Sequence, residues 1–342
     1  MKLILSISIL AIFISPTFKG FANPHALQNI ENVTQTSDCF SNVFSSYDNW
    51  FNWLYDKRKN AFIVRKTENM AHKLNKFEDN FKKMFLKEQF NNAKKNLDCR
   101  FFTYMVGENE VKGVLITPKY QVGNRKKTPL IVYNRGGTRN LGSLVFGHVA
   151  FELFPIALKG NAIIASDYRS DERYGADNID EVTALLDIAE KIPNIKSDKI
   201  GVYGISRGGL TSLQLAREVP DRISALAITS GVTDGFLWAN NMEGIKHNFS
   251  IIPEFKENSE EVYTKLSPVR WVDELPDAPI LILHSRDDER VSVQHSLSLA
   301  ERLQELERIY SLKIYQDGGH SLINHKADAI ENVSEWFALY IR

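Results

Sequence analysis

A serine sits between two glycines in Gly204-Ile205-Ser206-Arg207-Gly208, after the apolar run Ile200-Gly201-Val202-Tyr203 and before Leu210, Leu213 and Ala216. The order reads as strand, sharp turn, helix. It places Ser206 at the turn in a strained backbone conformation and uses Gly204 and Gly208 to let strand and helix pack closely. A serine hydroxyl near its free pKa is a weak nucleophile, so it needs an adjacent base, and the base needs a third group to orient it. Two later stretches offer these groups. His284-Ser285-Arg286-Asp287-Asp288 follows the apolar run from Ile280 to Leu283, and Asp317-Gly318-Gly319-His320-Ser321 follows Leu312 to Tyr315. Both lie past the carboxyl ends of expected strands, where they can converge on the edge that presents Ser206.

Among the eight histidines, His320 is the expected base because it follows a Gly-Gly turn after the last expected strand. His325 is an alternative that falls at the start of the final helix, and His284 is expected to orient its loop. Asp288 is the expected acid, with Asp287 competing; the one not used becomes a cap or turn residue. The order serine, acid, histidine is the one found in α/β-hydrolases. The chemistry is then acyl transfer to Ser206, with no cofactor, and no H-E-x-x-H or Cys/His spacing suggests a metal.

The elements that must position these residues are short apolar runs alternating with amphipathic stretches. Leu130 to Tyr133, Ala162 to Ala165, the run before Ser206, Ile223 to Thr229, Ile280 to Leu283 and Leu312 to Tyr315 read as buried strands. Val182, Leu185, Leu186 and Ala189 fall at helical spacing, as do Ile330, Val333 and Phe337. This pattern predicts an α/β fold with a mostly parallel sheet covered by helices on both faces. Arg100 to Val106 and Val111 to Pro118 read as a hairpin around Gly107. One interval, residues 231–276, separates two strands by about 45 residues where connections of about 2 to 6 are usual, and is expected to cap the site. It carries Trp238, Met242, His247, Phe249, Tyr263 and Trp271.

Residues 1–22 resemble a secretory signal peptide cut after Ala22, with an apolar core of about 13 residues, short for a membrane span. The expected location is therefore secreted or periplasmic, with no membrane association after cleavage. The only two cysteines, Cys39 and Cys99, would then meet an oxidising compartment as a pair; a disulfide is the expectation and two buried free thiols the alternative. Residues 23–99 read as a helical amino-terminal region and 100–342 as the catalytic domain. Basic and acidic residues number 42 each, so no net field favours nucleic acid.

Several motifs together give a resemblance: from about Val111 to Arg342 the chain is similar to the catalytic domain of the prolyl oligopeptidase family of serine peptidases. Gly204 to Gly209 matches the family's G-x-S-x-G-G, and His284 to Val291 is similar to its H-G-x-x-D-x-x-V, which places the acid at Asp288. Gly319-His320 matches the base loop, and Asp167-Tyr168-Arg169 with Tyr174-Gly175 resembles the N-Y-R-G-x-x-G-Y-G segment. Ser285 departs from the family's glycine. Tyr133-Asn134-Arg135-Gly136-Gly137 occupies the oxyanion loop, with Arg135 where relatives often carry Tyr or His. The resemblance implies one oxyanion donor at the backbone N–H of Arg207 and a second from Arg135 or the Gly136 amide. The amino-terminal region leaves no room for the family's β-propeller. A short peptide is the expected substrate, a small acyl ester the alternative, and a non-catalytic binding protein the reading from another class.

Overall fold

The alternating runs assemble into one nine-stranded sheet. A computed structural model describes residues 26–119, 127–137, 142–169, 176–250 and 252–341. Its strands are β1 (Val33–Asp38), β2 (Leu97–Val106), β3 (Asn109–Pro118), β4 (Thr128–Asn134), β5 (Ala162–Ser166), β6 (Ile195–Ile205), β7 (Ile223–Thr229), β8 (Ile280–Ser285) and β9 (Tyr310–Tyr315). They lie in the order β1-β2-β3-β5-β4-β6-β7-β8-β9. From β5 to β9 every pairing is parallel, and β1, β2 and β3 add an antiparallel flank. The chain steps from β4 outward to β5 and returns across to β6. A crevice therefore opens at the carboxyl ends of β4 and β6, the usual ligand position in such sheets.

The helices are α1 (Tyr47–Val64), α2 (Met70–Met84), α3 (Lys87–Asn96), α4 (Phe146–His148), α5 (Phe154–Ala157), α6 (Ala176–Glu190), α7 (Arg207–Glu218), α8 (Gly235–Asn241), α9 (Glu243–Ser250), α10 (Ser259–Lys265), α11 (Gln294–Glu305) and α12 (Lys326–Tyr340). Because strand side chains alternate, each strand feeds two cores. Leu130, Val132 and Ile164 pack on one face with Leu185, Leu213 and Leu299, from α6, α7 and α11. Ile131, Tyr133 and Ile163 pack on the other with Val149, Ile156 and Phe337.

The amino-terminal region differs from the helical reading. It contributes β1 as well as α1 to α3, and its end at residue 99 falls inside β2. Val-Thr-Gln-Thr-Ser-Asp buries little of itself, so its strand form comes from pairing with β2 and carries no apolar signature. The region also packs against the main domain. Trp50 sits 4.9 Å from Phe81, 4.6 Å from Phe85 and 4.9 Å from Phe146 between ring centres, which merges its aromatic cluster with the core under the sheet. Cys39 and Cys99 form a disulfide with their Cα atoms 5.3 Å apart, tying the end of β1 to β2. The signal-like residues 1–22 lie outside the described residues. Among the described residues no helix is long and apolar enough to cross a membrane.

The interval 231–276 holds α8, α9 and α10 around a small apolar cluster that includes Trp238, Phe249 and Val262. Leu210 of α7 and Val291 of the acid loop belong to the same cluster, so the interval packs against the edge that carries Ser206. Its aromatic residues are mostly its own core: Trp238 and Phe249 are buried here and Trp271 is buried in the main core.

Candidate active site

β6 ends at Ile205 and α7 begins at Arg207, so Ser206 alone makes the turn, with φ 58° and ψ −124°. A non-glycine residue rarely holds this conformation, and three hydrogen bonds hold it here. The Ser206 N–H donates to the Thr229 carbonyl at 2.9 Å, and its own carbonyl accepts from Gly209 N–H at 2.9 Å and Val232 N–H at 3.1 Å. The flanking glycines are sterically required. A β-carbon on Gly204 would fall 2.2 Å from the Gly208 carbonyl oxygen, and one on Gly208 would fall 1.9 Å from that of Asn134.

His320 follows β9 on a turn made by Gly318 and Gly319 at φ 115° and 59°. Its Nε2 lies 2.9 Å from Ser206 Oγ and its Nδ1 2.8 Å from Asp288 Oδ2. The carboxylate accepts the Nδ1 proton, which leaves the Nε2 lone pair facing the serine hydroxyl. The other oxygen, Asp288 Oδ1, accepts the backbone N–H groups of Arg290 at 2.9 Å and Val291 at 3.0 Å. Burial pushes the Asp288 carboxyl up, but hydrogen bonds from His284 and His320, with the Val291 amide, hold it well below the usual carboxylate range.

The competing residues take other places. Asp287 accepts the Ser285 hydroxyl and, at 2.9 Å, the Gly319 N–H, so it fastens the acid loop to the loop of His320. These two hydrogen bonds hold its carboxyl below the ordinary range. His325 stands just before α12 and its Nε2 lies 2.6 Å from Asp317 Oδ1. His284 is fully buried, with Nε2 3.1 Å from Asp288 Oδ2 and 2.8 Å from the Val291 carbonyl, and Nδ1 2.7 Å from Ser296 Oγ.

Gly136 lies against Ser206: a β-carbon there would come 2.9 Å from Ser206 Cβ and 3.6 Å from Oγ. The Arg135 guanidinium is buried, with Nε 2.9 Å from the Asp167 carboxylate and Nη1 3.1 Å from the Gly136 carbonyl. Its side chain thus holds the loop. Burial raises the Asp167 carboxyl pKa and the Arg135 charge opposes that rise. Arg207 opens α7 directly after Ser206, and its buried guanidinium lies 4.9 Å from the centre of the Tyr168 ring. Tyr174 and Gly175 lie outside the described residues. Sequence reasoning missed Ser296, one turn into a helix that shows no motif, and the use of Asp167 as the Arg135 partner. Among the described residues no group of three or more His, Cys, Asp or Glu side chains converges as a metal site.

A doubly covered, mostly parallel sheet with a serine on the turn after β6, an acid after β8 and a histidine after β9 defines an α/β-hydrolase. Residues 156–342 match the model of the prolyl oligopeptidase family. The chain belongs to that family of serine peptidases, and the matched residues contain Ser206, Asp288 and His320. Among similar proteins, the uncharacterized peptidase YtmA of Bacillus subtilis is 24% identical over 229 residues, covering 65% of this chain and 86% of YtmA. Dipeptidyl-peptidase 5 of Porphyromonas gingivalis is 26% identical over 230 residues, covering 63% of this chain and 33% of the relative. The structure of an acylaminoacyl peptidase from Pyrococcus horikoshii superposes with a TM-score of 0.61 at 22% identity, covering 72% of this chain and 42% of that one. The chain thus spans less than half the length of the last two.

Proposed function

We propose that the protein cleaves short peptides by acyl transfer to Ser206, with His320 as general base and then general acid and Asp288 holding its tautomer. The observation that carries the reading is the contact of His320 with both Ser206 Oγ at 2.9 Å and Asp288 at 2.8 Å. Ser206 Oγ attacks the scissile carbonyl as its proton passes to His320 Nε2. The oxyanion is met by the backbone N–H of Arg207 and a second amide from the Arg135-Gly136 segment. Collapse breaks the C–N bond, and the leaving amine takes the proton from Nε2. Water then loses a proton to His320, attacks the acyl-enzyme and releases the acid, which restores the serine hydroxyl. The interval 231–276, packed beside the serine edge, limits the substrate to short chains. Export to an oxidising compartment is part of the same reading, supported by the Cys39–Cys99 bridge.

The test is a panel of aminoacyl and dipeptidyl amides beside short-chain acyl esters, with Ser206→Ala as the blank. Amide hydrolysis should fall by roughly a millionfold in kcat in the blank, because the three groups act as a unit. Turnover of esters alone would make the protein a carboxylesterase on the same triad. Equal turnover by the blank would remove Ser206 from the chemistry.

A further inference from the structure

We propose that His284 is a positioning residue for Asp288, donating its Nε2–H to the carboxylate oxygen that also receives His320, with Ser296 fixing the tautomer that makes this donation possible. The inference rests on the triad reading above and extends it inward by two residues. Both neighbours of His284 Nε2 are acceptors, the Asp288 carboxylate at 3.1 Å and the Val291 carbonyl at 2.8 Å. That nitrogen must therefore carry a hydrogen. In the neutral ring Nδ1 is then a lone pair, and the one partner beside it, Ser296 Oγ at 2.7 Å, is a hydroxyl able to donate. With the ring neutral the links run one way: Ser296 donates to His284, His284 shares its Nε2–H between the Val291 carbonyl and Asp288, His320 donates to Asp288, and Ser206 donates to His320.

The geometry gives this chain a purpose beyond filling the core. Asp288 Oδ1 is held by two backbone amides of its own loop, whereas Oδ2 receives its hydrogen bonds from two side chains on different segments. His284 is on β8, and Ser296 is in the first turn of α11. The oxygen facing the base is thereby fixed by the sheet and a helix as well as by its loop. A donor opposite His320 also withdraws part of the carboxylate's charge from the imidazolium formed during turnover. Losing that donor leaves more negative charge on the Asp288 oxygen that faces His320, favours the protonated state of His320, and extends acid inhibition to higher pH. The neighbouring titratable groups are His295 of α11, which feels Asp234, His284 and Asp288, and Asp287, which accepts the Gly319 N–H; apart from His284 itself, none of them is substituted in the variants below.

The test compares two polar, uncharged replacements that differ in reach. His284→Gln puts an amide nitrogen at the position of Nε2 and restores a donor; His284→Asn reaches only the position of Nδ1. On the best amide substrate from the panel, the Gln variant should keep the acid limb of kcat/KM and most of kcat. The Asn variant should move that limb upward by about half a pH unit to one and lose kcat by about tenfold, with KM little changed. Ser296→Ala, a small change that leaves the ring in place, should shift the limb in the same direction by less. Equal profiles for Gln and Asn, or an Asn variant matching the wild type, would overturn the proposal. If neither His284 variant folds, a wild-type profile in Ser296→Ala overturns it. Activity surviving in Ser206→Ala would instead sink the triad reading, so the two failures are separable.

Discussion

At residue 208 there is no room for a methyl group. The space a β-carbon would enter is occupied by the Asn134 carbonyl at 1.9 Å and the Arg135 carbonyl at 2.8 Å, both backbone atoms where β4 ends beside Ser206. Gly208→Ala should therefore lower the unfolding free energy by about 3 kcal/mol or more, or prevent folding, because backbone cannot move aside as a side-chain tip can. A urea midpoint within experimental error of the wild type would show that the turn is looser than its geometry. Gly319 is constrained differently: a β-carbon there meets nothing within 4 Å, and only its φ of 59° argues for glycine. Residues whose place in the turn is set by local spacing were legible in the sequence, as Ser206, Gly204 and Gly208 were. Asp288 was separable from Asp287 only by motif, since the two differ in which way a loop turns. The engagement of Arg135 was not legible, because its partner Asp167 arrives from the end of a neighbouring strand.

At the scale of elements, the first turn of α11 joins two parts of the molecule. Ser296 reaches the acid loop, while the buried His295 accepts at Nδ1 the backbone N–H groups of Thr233 and Asp234, each at 3.2 Å, where the chain leaves the sheet for α8. Those two donors require a neutral ring. Burial, with the nearby His284, pushes the His295 pKa down to about 4, against the opposing charges of Asp234 and Asp288. With the folded value below the unfolded one of about 6.5, His295 contributes stability that is full above that value. It is lost as pH falls toward about 4, amounting to about 3 kcal/mol. His295→Asn offers an oxygen near the position of Nδ1 and does not titrate, so its urea stability should change less than the wild type's between about pH 7 and pH 4.5. Parallel pH slopes for the two proteins would refute this. β4, β5, β7 and β8 were readable because runs buried on both faces are close to continuously apolar. β1 was not readable, since its pairing depends on a partner some sixty residues away. In the interval 231–276, Trp238 and Phe249 fill its own small core whereas Trp271 joins the main one, a distinction that periodicity cannot make.

For the whole molecule, the bridge between Cys39 and Cys99 closes a separation of 60 residues containing α1 to α3. A crosslink of that span restrains the unfolded chain by about 4 kcal/mol on loop-entropy grounds. The double variant Cys39→Ser/Cys99→Ser should lose about 2 to 4 kcal/mol in urea unfolding while the folded fraction keeps the turnover seen in the substrate panel. Unchanged stability would mean that the aromatic cluster around Trp50 alone fixes the region.

The outermost strand adds a consequence for life in concentrated solution. β1 is polar and faces outward along nearly its whole length, whereas β2 beneath it reads Leu-Asp-Cys-Arg-Phe-Phe-Thr-Tyr-Met-Val. Without its cover, β2 would present an open ladder of unpaired amides and carbonyls beside a run rich in apolar and aromatic side chains, the template on which foreign strands add. The bridge sits where β1 ends, next to the paired residues Asp38 and Arg100. It acts as a latch on a sacrificial outer rail, and opening it should make the protein self-associate, visible as rising light scattering, before its catalytic half melts.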